Sequence, residues 1–199
     1  SVTLILSLLA LSYQAAISSA PLLVRTIYDD ALTAGWHNWS WATVNMSASS
    51  PVHSGSKSIA VTFGAWQGLY LHNASADTLG TTHLRFYLHG GVSGGQRMNV
   101  FLNLEVGGVS VNGPFVSVAQ PPANVWIEVQ IPLSSLNPTQ AAVTGITWQD
   151  STGGSQPTFY VDDIAFVSSQ HPDGPELTEG RLYRRSLATD GSATVAVNV

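Results

Sequence analysis

Short runs of alternating apolar and polar residues, separated by turn residues, dominate the chain between residues 25 and 167. Representative runs are THLRFYLH (82–89), MNVFLNLEV (98–106) and VWIEVQI (125–131). A period of two places successive side chains on opposite faces of a strand, and the period of about 3.6 residues that marks an amphipathic helix is nearly absent. About ten such runs, with turn signals roughly every 8–12 residues, predict an all-β jelly-roll sandwich.

Composition divides the chain into an apolar N-terminal arm, the sandwich, a linker and a C-terminal strand extension, at residues 1–25, 26–168, 169–180 and 181–199. The apolar run VTLILSLLAL, followed by Ser18-Ser19-Ala20, is typical of a secretory signal peptide. The run is too short for a membrane span, which needs about 20 residues. The alternative is an assembly arm that is retained and must be covered by another surface.

The surface is expected to be polar but poorly charged. Charged residues make up only 10% of the chain and the formal net charge is −5, against about 25% charged residues in an ordinary soluble domain. Such a surface suits neutral partners, such as glycans or copies of the chain itself. With Lys57 as the one lysine, the sequence offers no basic patch for nucleic acid. The lack of cysteine excludes disulfides and thiolate sites.

The sequence shows no catalytic constellation. It has no HExxH motif, and its six histidines are scattered. Glu105 and Glu128 are the only glutamates within the predicted sandwich, and nothing in the sequence brings them together as a glycosidase pair. The chain is therefore expected to bind or assemble and not to catalyse.

Aromatic residues form the first candidate site. Tryptophans alternate through GWHNWSW (35–41), and Trp66 and Tyr70 flank a glycine in WQGLY. Flat rings on a sandwich surface can stack on sugar faces, whereas rings that face inward supply core area. Trp39 and Trp41 share one strand face and are predicted to be buried, and exposure is expected at Trp36 and Trp66. The candidate glycan-binding residues are Trp36, Trp66 and Tyr70.

Two acidic pairs form the second candidate site. Asp29-Asp30 lies in the first predicted strand of the sandwich and Asp162-Asp163 in the last. First and last strands commonly lie close together, and carboxylates brought together there repel unless a cation lies between them. Calcium accepts about six to eight oxygen ligands at flexible geometry, so the pairs predict a structural Ca²⁺ site. The alternative is that one aspartate of each pair caps a turn and the other is solvated.

Three sequons mark candidate glycosylation sites, which would make the chain a glycoprotein. They are Asn38-Trp39-Ser40, Asn45-Met46-Ser47 and Asn73-Ala74-Ser75. The motif is short, and about two matches would arise by chance in a chain this rich in serine and threonine.

From about residue 26 to residue 167 the chain resembles the carbohydrate-binding-module and galactose-binding-like jelly rolls that are appended to polysaccharide enzymes. The residues that carry the resemblance are VWIEVQIPLSSL (125–136), GITWQD (145–150), FYVDDI (159–164) and the opening IYDDALTAGWHNWSW (27–41). The resemblance implies the sandwich fold, secretion, a calcium ion near the first and last strands, and sugar binding through surface aromatics. It does not fix the function, because one fold hosts many functions.

Two functions fit these features. The first is a non-catalytic extracellular subunit that assembles head-to-tail into a filament or fibril by donating a terminal strand to a neighbouring copy. The N-terminal arm could instead be a helix in a fibre core, or both extensions could fold back on their own sandwich. The second function is that of a secreted carbohydrate-binding module. The predicted assembly residues are Val2, Leu4, Leu6, Leu8, Val195, Val197 and Val199.

Overall fold

The computed structural model of the protein describes residues 22–168 and two short segments, 185–187 and 193–195. These residues contain fifteen strands and one short helix. In chain order they are β1 (Val24–Asp29), β2 (Ala31–Leu32), β3 (Trp36–Asn38), β4 (Thr43–Ala48), β5 (Ser58–Thr62), β6 (Gly68–Ala76), β7 (His83–His89), β8 (Met98–Val106), β9 (Val109–Asn112), β10 (Val116–Ser117), β11 (Trp126–Pro132), α1 (Leu133–Leu136), β12 (Ala142–Asp150), β13 (Phe159–Val167), β14 (Arg185–Leu187) and β15 (Ala193–Val195).

Two antiparallel sheets pack face to face around one core. Sheet I has seven strands in the order β11-β7-β13-β1-β2, with β5 beside β13 and β4 beside β5. Sheet II has six strands in the order β10-β8-β12-β6-β3, with β9 beside β8. This arrangement confirms the prediction of an all-β jelly-roll sandwich.

The core forms from alternate residues on the facing sides of the two sheets. Leu84 and Phe86 of β7 belong to the same buried cluster as Val100 and Leu102 of β8, and all four are fully buried. The indole of Trp148 in β12 meets the Phe86 ring edge-on, with the ring centroids 5.2 Å apart. Each such side chain contributes about 1.5–3 kcal/mol through burial. Because one face of each strand packs in the core, the intervening residues lie on the two outer faces of the sandwich.

The remaining two strands pair with each other in a unit separate from Leu22–Ser169. β14 and β15 are antiparallel, with Arg185 opposite Val195. This pairing gives residues 193–195 of the C-terminal extension a strand partner within their own chain. The other predicted assembly residues lie outside the described residues: Val2, Leu4, Leu6, Leu8, Val197 and Val199.

No helix within the described residues has the length and apolar character that crossing a membrane requires.

Candidate functional site

The outer face of sheet II presents three rows of residues that cross β6, β12 and β8. Residues that lie opposite each other on neighbouring strands are close enough for their side chains to interact. The rows contain aromatic rings, amides, a hydroxyl and glycines, and none of their members is an aspartate, glutamate, lysine or arginine. They are Gly68, Gln149 and Asn99 in the first row, Tyr70, Thr147 and Phe101 in the second, and His72, Gly145 and Asn103 in the third.

Two glycines let aromatic rings lie against this sheet. A Cβ at Gly145 would collide with the Tyr70 ring, and a Cβ at Gly68 would come within 2.6 Å of the Trp41 ring. Glycine inside a strand weakens the strand, and it often marks the close approach of another group. At both positions the approaching group is an aromatic ring, so the outer face of sheet II carries a layer of aromatic surface.

The segment between β3 and β4 runs along the edge of β6 and places two tryptophans on this face. The N–H of Trp39 donates to the Tyr70 carbonyl at 2.9 Å, and the N–H of Trp41 donates to the Gly68 carbonyl at 3.1 Å. The Trp39 indole stacks on the His72 imidazole, with centroids 3.6 Å apart and planes 4° apart. Trp39 is nevertheless 57% exposed, so much of its ring is available to a ligand.

The His72 imidazole favours its neutral form beneath Trp39. Burial lowers the pKa of His72 from its usual 6.5, and His37, which lies opposite it on β3, lowers the pKa further. The Nδ1 atom of His72 is buried and has no hydrogen-bond partner within residues 22–168. Protonation of His72 would cost free energy, because its Nδ1–H would be buried without an acceptor.

Trp66 extends the aromatic surface from the loop between β5 and β6. Its backbone φ is 60°, a left-handed conformation that costs a residue of this type roughly 1–2 kcal/mol. Asp150 holds that conformation, because its Oδ2 accepts the N–H of Trp66 at 2.9 Å and the N–H of Gly153 at 2.8 Å. The Trp41 Nε1–H donates to the Trp66 carbonyl at 2.9 Å. The Trp66 ring lies over Gly153 and is 60% exposed.

Asp150 is a buried carboxylate that organises the loop beneath Trp66. Burial alone would raise the pKa of Asp150, but hydrogen bonds from the Thr152 hydroxyl and from the N–H groups of Trp66, Thr152 and Gly153 lower it overall. The Gln156 amide also donates to Asp150 Oδ1 at 2.6 Å. The ionised carboxylate therefore holds both sides of the loop in one arrangement.

Amide and hydroxyl groups lie among the rings. The Thr147 hydroxyl donates to Asn103 Oδ1 at 2.8 Å, and the Asn103 amide donates to Asn112 Oδ1 at 3.2 Å. The Gln149 amide donates to the Trp66 carbonyl at 3.0 Å. Asn103 and Thr147 are buried. Among these groups, the half-buried Gln149 amide keeps N–H groups and oxygen lone pairs for a polar ligand.

The expected placement of the GWHNWSW tryptophans is wrong, although their alternation is correct. Trp36 is only 9% exposed and packs in the core, 6.4 Å from the Phe166 ring, so it does not offer its ring to a surface ligand. Trp39 and Trp41, predicted to be buried, are exposed. Periodicity shows which residues share a face but not which face meets the core. Tyr70, half-buried on the outer face, and exposed Trp66 lie where a surface ligand could reach them.

The acidic pairs lie on neighbouring strands, since β1 pairs with β13. Asp162 is fully buried, and its carboxylate accepts the N–H groups of His53 and Asp163, each at 2.9 Å. Burial raises the pKa of Asp162. The Asp163 carboxylate bonds to the His53 imidazole and to the Ser54 hydroxyl. These oxygens therefore already have hydrogen-bond donors.

Asp30 binds another part of the same loop. Its Oδ1 accepts the N–H groups of Ser56 and Lys57 at 2.6 and 2.7 Å, and these bonds lower the pKa of Asp30. Within residues 22–168, no three metal-ligating side chains are grouped as a metal site. Calcium would have to displace the present donors. It stays a prediction for Asp29, Asp30, Asp162 and Asp163, and calorimetry with and without a chelator tests it: an unchanged melting temperature would remove it.

The three sequon asparagines adopt the same local turn. Each Oδ1 accepts the backbone N–H of the serine two residues later, at 3.1, 3.0 and 2.8 Å for Asn38, Asn45 and Asn73. Asn38 and Asn45 are exposed, and Asn73 is partly exposed. Glycosylation at these asparagines stays a prediction.

Comparison with known proteins places this face in context. A family model described as the C-terminal domain of expansin-like proteins matches residues 27–169. A family 11 carbohydrate-binding module from Clostridium thermocellum, solved in complex with a beta-1,3-1,4-mixed-linked tetrasaccharide, has a TM-score of 0.55 at 14% identity, covering 73% of this chain and 96% of that one. A variant of a family 29 module complexed with mannohexaose gives 0.52 at 13% identity, covering 75% and 94%. Another variant, complexed with cellulohexaose, gives 0.51 at 14% identity, covering 74% and 92%.

At these identities the structural likeness establishes the fold alone. It confirms the resemblance of the sandwich to carbohydrate-binding modules. No curated protein matches the chain.

Proposed function

The chain belongs to the family of expansin-like protein C-terminal domains, and from that premise we propose that the outer face of sheet II binds a neutral polysaccharide. The observation that carries the proposal is one aromatic surface, formed by Trp39, Trp41, Trp66 and Tyr70, with uncharged amides beside it. The carbohydrate-binding modules of similar fold support the same class of ligand.

The chemistry of a sugar ring matches this surface. A pyranose has an apolar C–H face and a rim of hydroxyl groups. Stacking the C–H face on Trp39 or Trp66 removes apolar surface from water, worth about 25 cal/mol per Å². The amides of Gln149 and Asn99 can bond the hydroxyls. The three rows hold no arginine, lysine or carboxylate, which favours a neutral glycan over an acidic one.

The rings are held in position before a ligand arrives. Trp39 is fixed by its stack on His72, and Trp41 by the hydrogen bond from its Nε1 to Trp66. Groups that are already ordered lose less conformational entropy on binding, which favours affinity. We expect small backbone changes when the ligand binds.

The proposed role is to hold a polysaccharide and not to cleave it, at an extracellular location. The similar solved structures are carbohydrate-binding modules by description, and the family is that of expansin-like C-terminal domains.

Affinity electrophoresis through gels that contain plant or algal polysaccharides tests the proposal, with mannohexaose, cellulohexaose and a mixed-linked tetrasaccharide as competitors. We expect retardation of the wild type, and its loss in the double variant Trp39→Ala, Tyr70→Ala. Leu79→Ala removes an exposed apolar side chain elsewhere and should leave retardation unchanged. A wild type that no glycan retards, or a double variant retarded as strongly as the wild type, would overturn the proposal.

The head-to-tail filament stays a prediction without support from the described residues. Most of the residues that it invokes lie outside them, and β15 pairs with β14 of its own chain. Light scattering at high protein concentration tests it, and a monomeric wild type would exclude it. A glycan-binding subunit could still polymerise, so the two proposals are independent.

A further inference from the structure

The outer face of sheet I also carries three ordered rows of residues, on the opposite side of the sandwich. They cross β11, β7 and β13 in register. The first row is aromatic, the second joins one ring to two carboxylates, and the third holds an amide, a guanidinium and an alanine. The rows are Trp126, His89 and Tyr160, then Glu128, Tyr87 and Asp162, then Gln130, Arg85 and Ala165.

The aromatic side chains of this face contact one another. The His53 imidazole stacks on the Tyr87 ring with centroids 3.5 Å apart, and it meets the Trp126 ring edge-on at 5.7 Å. His89 lies 5.1 Å from the Trp126 ring and 5.9 Å from the Tyr160 ring. Tyr87, Trp126 and Tyr160 are half-buried, so each retains some ring surface toward solvent. These rings lie outside the core, because the core is on the other side of the sheet.

Asp163 of β13 holds part of this cluster in place by binding the His53 imidazole, which comes from the loop between β4 and β5. The Asp163 carboxylate bonds to the His53 imidazole, and it accepts the Ser54 hydroxyl at 2.8 Å. These contacts fix the imidazole against Tyr87.

Polar groups that suit a hydroxylated ligand lie beside the rings. A groove of about 290 Å³ is lined by Arg85 together with Thr26, Asp29, Tyr87 and Asp163. The Nε of Arg85 is buried, and no residue of the described 22–168 segment accepts its hydrogen bond. The Nε atom is closed off from the groove, but the terminal N–H groups of this guanidinium could donate to a ligand oxygen there.

The exposed rim is polar and its charges are mixed. The Gln130 amide donates to Glu128 at 3.0 Å. Burial, followed by the nearby Glu128 carboxylate, raises the pKa of Tyr87. Arg85 is one positive charge beside the carboxylates of Glu128, Asp29 and Asp163. The net charge of these groups is therefore negative, which disfavours an anionic ligand. On β11, the four residue steps from Trp126 in the first row to Gln130 in the third span about 13 Å of strand. This length is enough for a short run of sugar rings.

We propose that the outer face of sheet I is a second binding surface for a neutral glycan, so that one sandwich holds two glycan chains, one on each side. This proposal rests on the proposed function, because it assigns the same class of ligand to the opposite face. The two sheets of a sandwich lie about 10 Å apart, and their outer faces point in opposite directions. Binding at both faces would therefore cross-link polysaccharide chains.

Isothermal titration of the full chain tests the second surface, with mannohexaose, cellulohexaose and the mixed-linked tetrasaccharide as probes. We expect two sites per chain in the wild type. The double variant Trp126→Ala, Tyr160→Ala should lose one site, and Trp39→Ala, Tyr70→Ala should lose the other. Light scattering of a soluble mixed-linked glucan should rise with the wild type and with neither double variant.

The possible outcomes separate the two proposals. A single wild-type site that is lost only in the sheet II variant overturns the second surface and leaves the proposed function standing. A single site lost only in the sheet I variant supports the second surface and overturns the assignment to sheet II. No binding to any probe overturns both.

A second variant keeps the test valid if Trp126→Ala, Tyr160→Ala does not fold. Gln130→Ala changes an exposed position and should weaken binding at the second site alone. Two sites with unchanged affinity in this variant would count against the proposal.

Discussion

At the scale of single residues, glycines 68 and 145 determine how closely a ring can approach sheet II. Glycine within a strand costs roughly 0.5–1 kcal/mol relative to alanine. Here the cost is offset by ring packing, because a Cβ at Gly145 would meet the Tyr70 ring. A ring that lies against the sheet exposes its other face to solvent, which is the geometry that a stacked sugar requires.

Gly145→Ala should therefore displace the Tyr70 ring and lower both the free energy of unfolding and the affinity for glycan. The new Cβ would also lie 2.7 Å from the Leu71 carbonyl, and overpacking of this kind costs about 1–3 kcal/mol. Urea unfolding and affinity electrophoresis measure the two effects. Gly154→Ala is the matched control, since its nearest neighbour would lie 3.7 Å away, at Thr152. Equal behaviour of the two variants would contradict the role of Gly145.

Acidification should weaken the Trp39–His72 stack. The pKa of His72 is lowered in the folded protein, by burial first and by His37 second, so the unfolded chain binds a proton more readily. The stabilisation from neutral His72 is present above the unfolded pKa of about 6.5 and is lost as the pH falls through the lowered folded value. Glycan affinity should follow the same course. His72→Phe keeps a flat ring, so the variant should lose less glycan affinity than the wild type between pH 7 and pH 5. A variant whose affinity falls with pH as much as that of the wild type would contradict this account.

The tryptophans of GWHNWSW show what a sequence can establish at this scale. Alternation correctly grouped Trp39 with Trp41 and separated both from Trp36. It could not show which group faces the core, because that depends on how β3 pairs with β6, where Trp36 lies opposite Asn73. Tyr70 and Trp66 were identifiable as candidates because they flank a glycine, Gly68, in the sequence. The structure shows that the Trp41 ring lies over this glycine.

At the scale of elements, the loop after β12 connects a buried carboxylate to an exposed ring. Asp150 accepts hydrogen bonds from Trp66, Gly153 and Gln156. This set compensates for the left-handed backbone of Trp66. The loop therefore positions a ring that belongs to the proposed glycan surface without itself contacting the ligand.

Asp150→Asn should reduce the free energy of unfolding by about 1.5–3 kcal/mol at pH 7, because charge-assisted hydrogen bonds are lost. The folded-state pKa of Asp150 is lowered, so its contribution is present above about pH 3.8 and falls as the pH drops through the lowered value. The difference between wild type and variant should therefore shrink in acid, as urea unfolding at several pH values can show. Asp77→Asn, at an exposed ion pair with Arg25, should change stability by about 1 kcal/mol or less. A difference that does not shrink as the pH falls below about 3.8 would contradict the assignment.

Strand positions were largely predictable, whereas strand partners were not. The pair Gly107-Gly108 is typical of a two-residue hairpin turn, and β8 and β9 pair across it. The sequence does not show that β5 pairs with β13, about a hundred residues later. The rows on both outer faces depend on such long-range register. Thr147 and Phe101 could therefore not be placed beside Tyr70 from the sequence.

At the scale of the whole molecule, the sandwich is a rigid support with two outer faces. One face carries Trp39, Tyr70 and Trp66, and the other carries Trp126, Tyr87 and Tyr160. A low content of charged residues, 10% of the chain, leaves both faces suited to neutral, hydroxyl-rich partners. A molecule of this kind would act by joining polysaccharide chains, and its effect would depend on both faces being intact.

The most direct test of glycan binding by sheet II is a chemical-shift titration of the ¹⁵N-labelled chain. The ligand is whichever of mannohexaose, cellulohexaose and the mixed-linked tetrasaccharide competes best in the gels. We predict saturable shifts of the Trp39 and Trp66 indole N–H signals and of the Tyr70, Gly145 and Gln149 amides. A titration in which other signals shift while these five stay fixed would contradict the account.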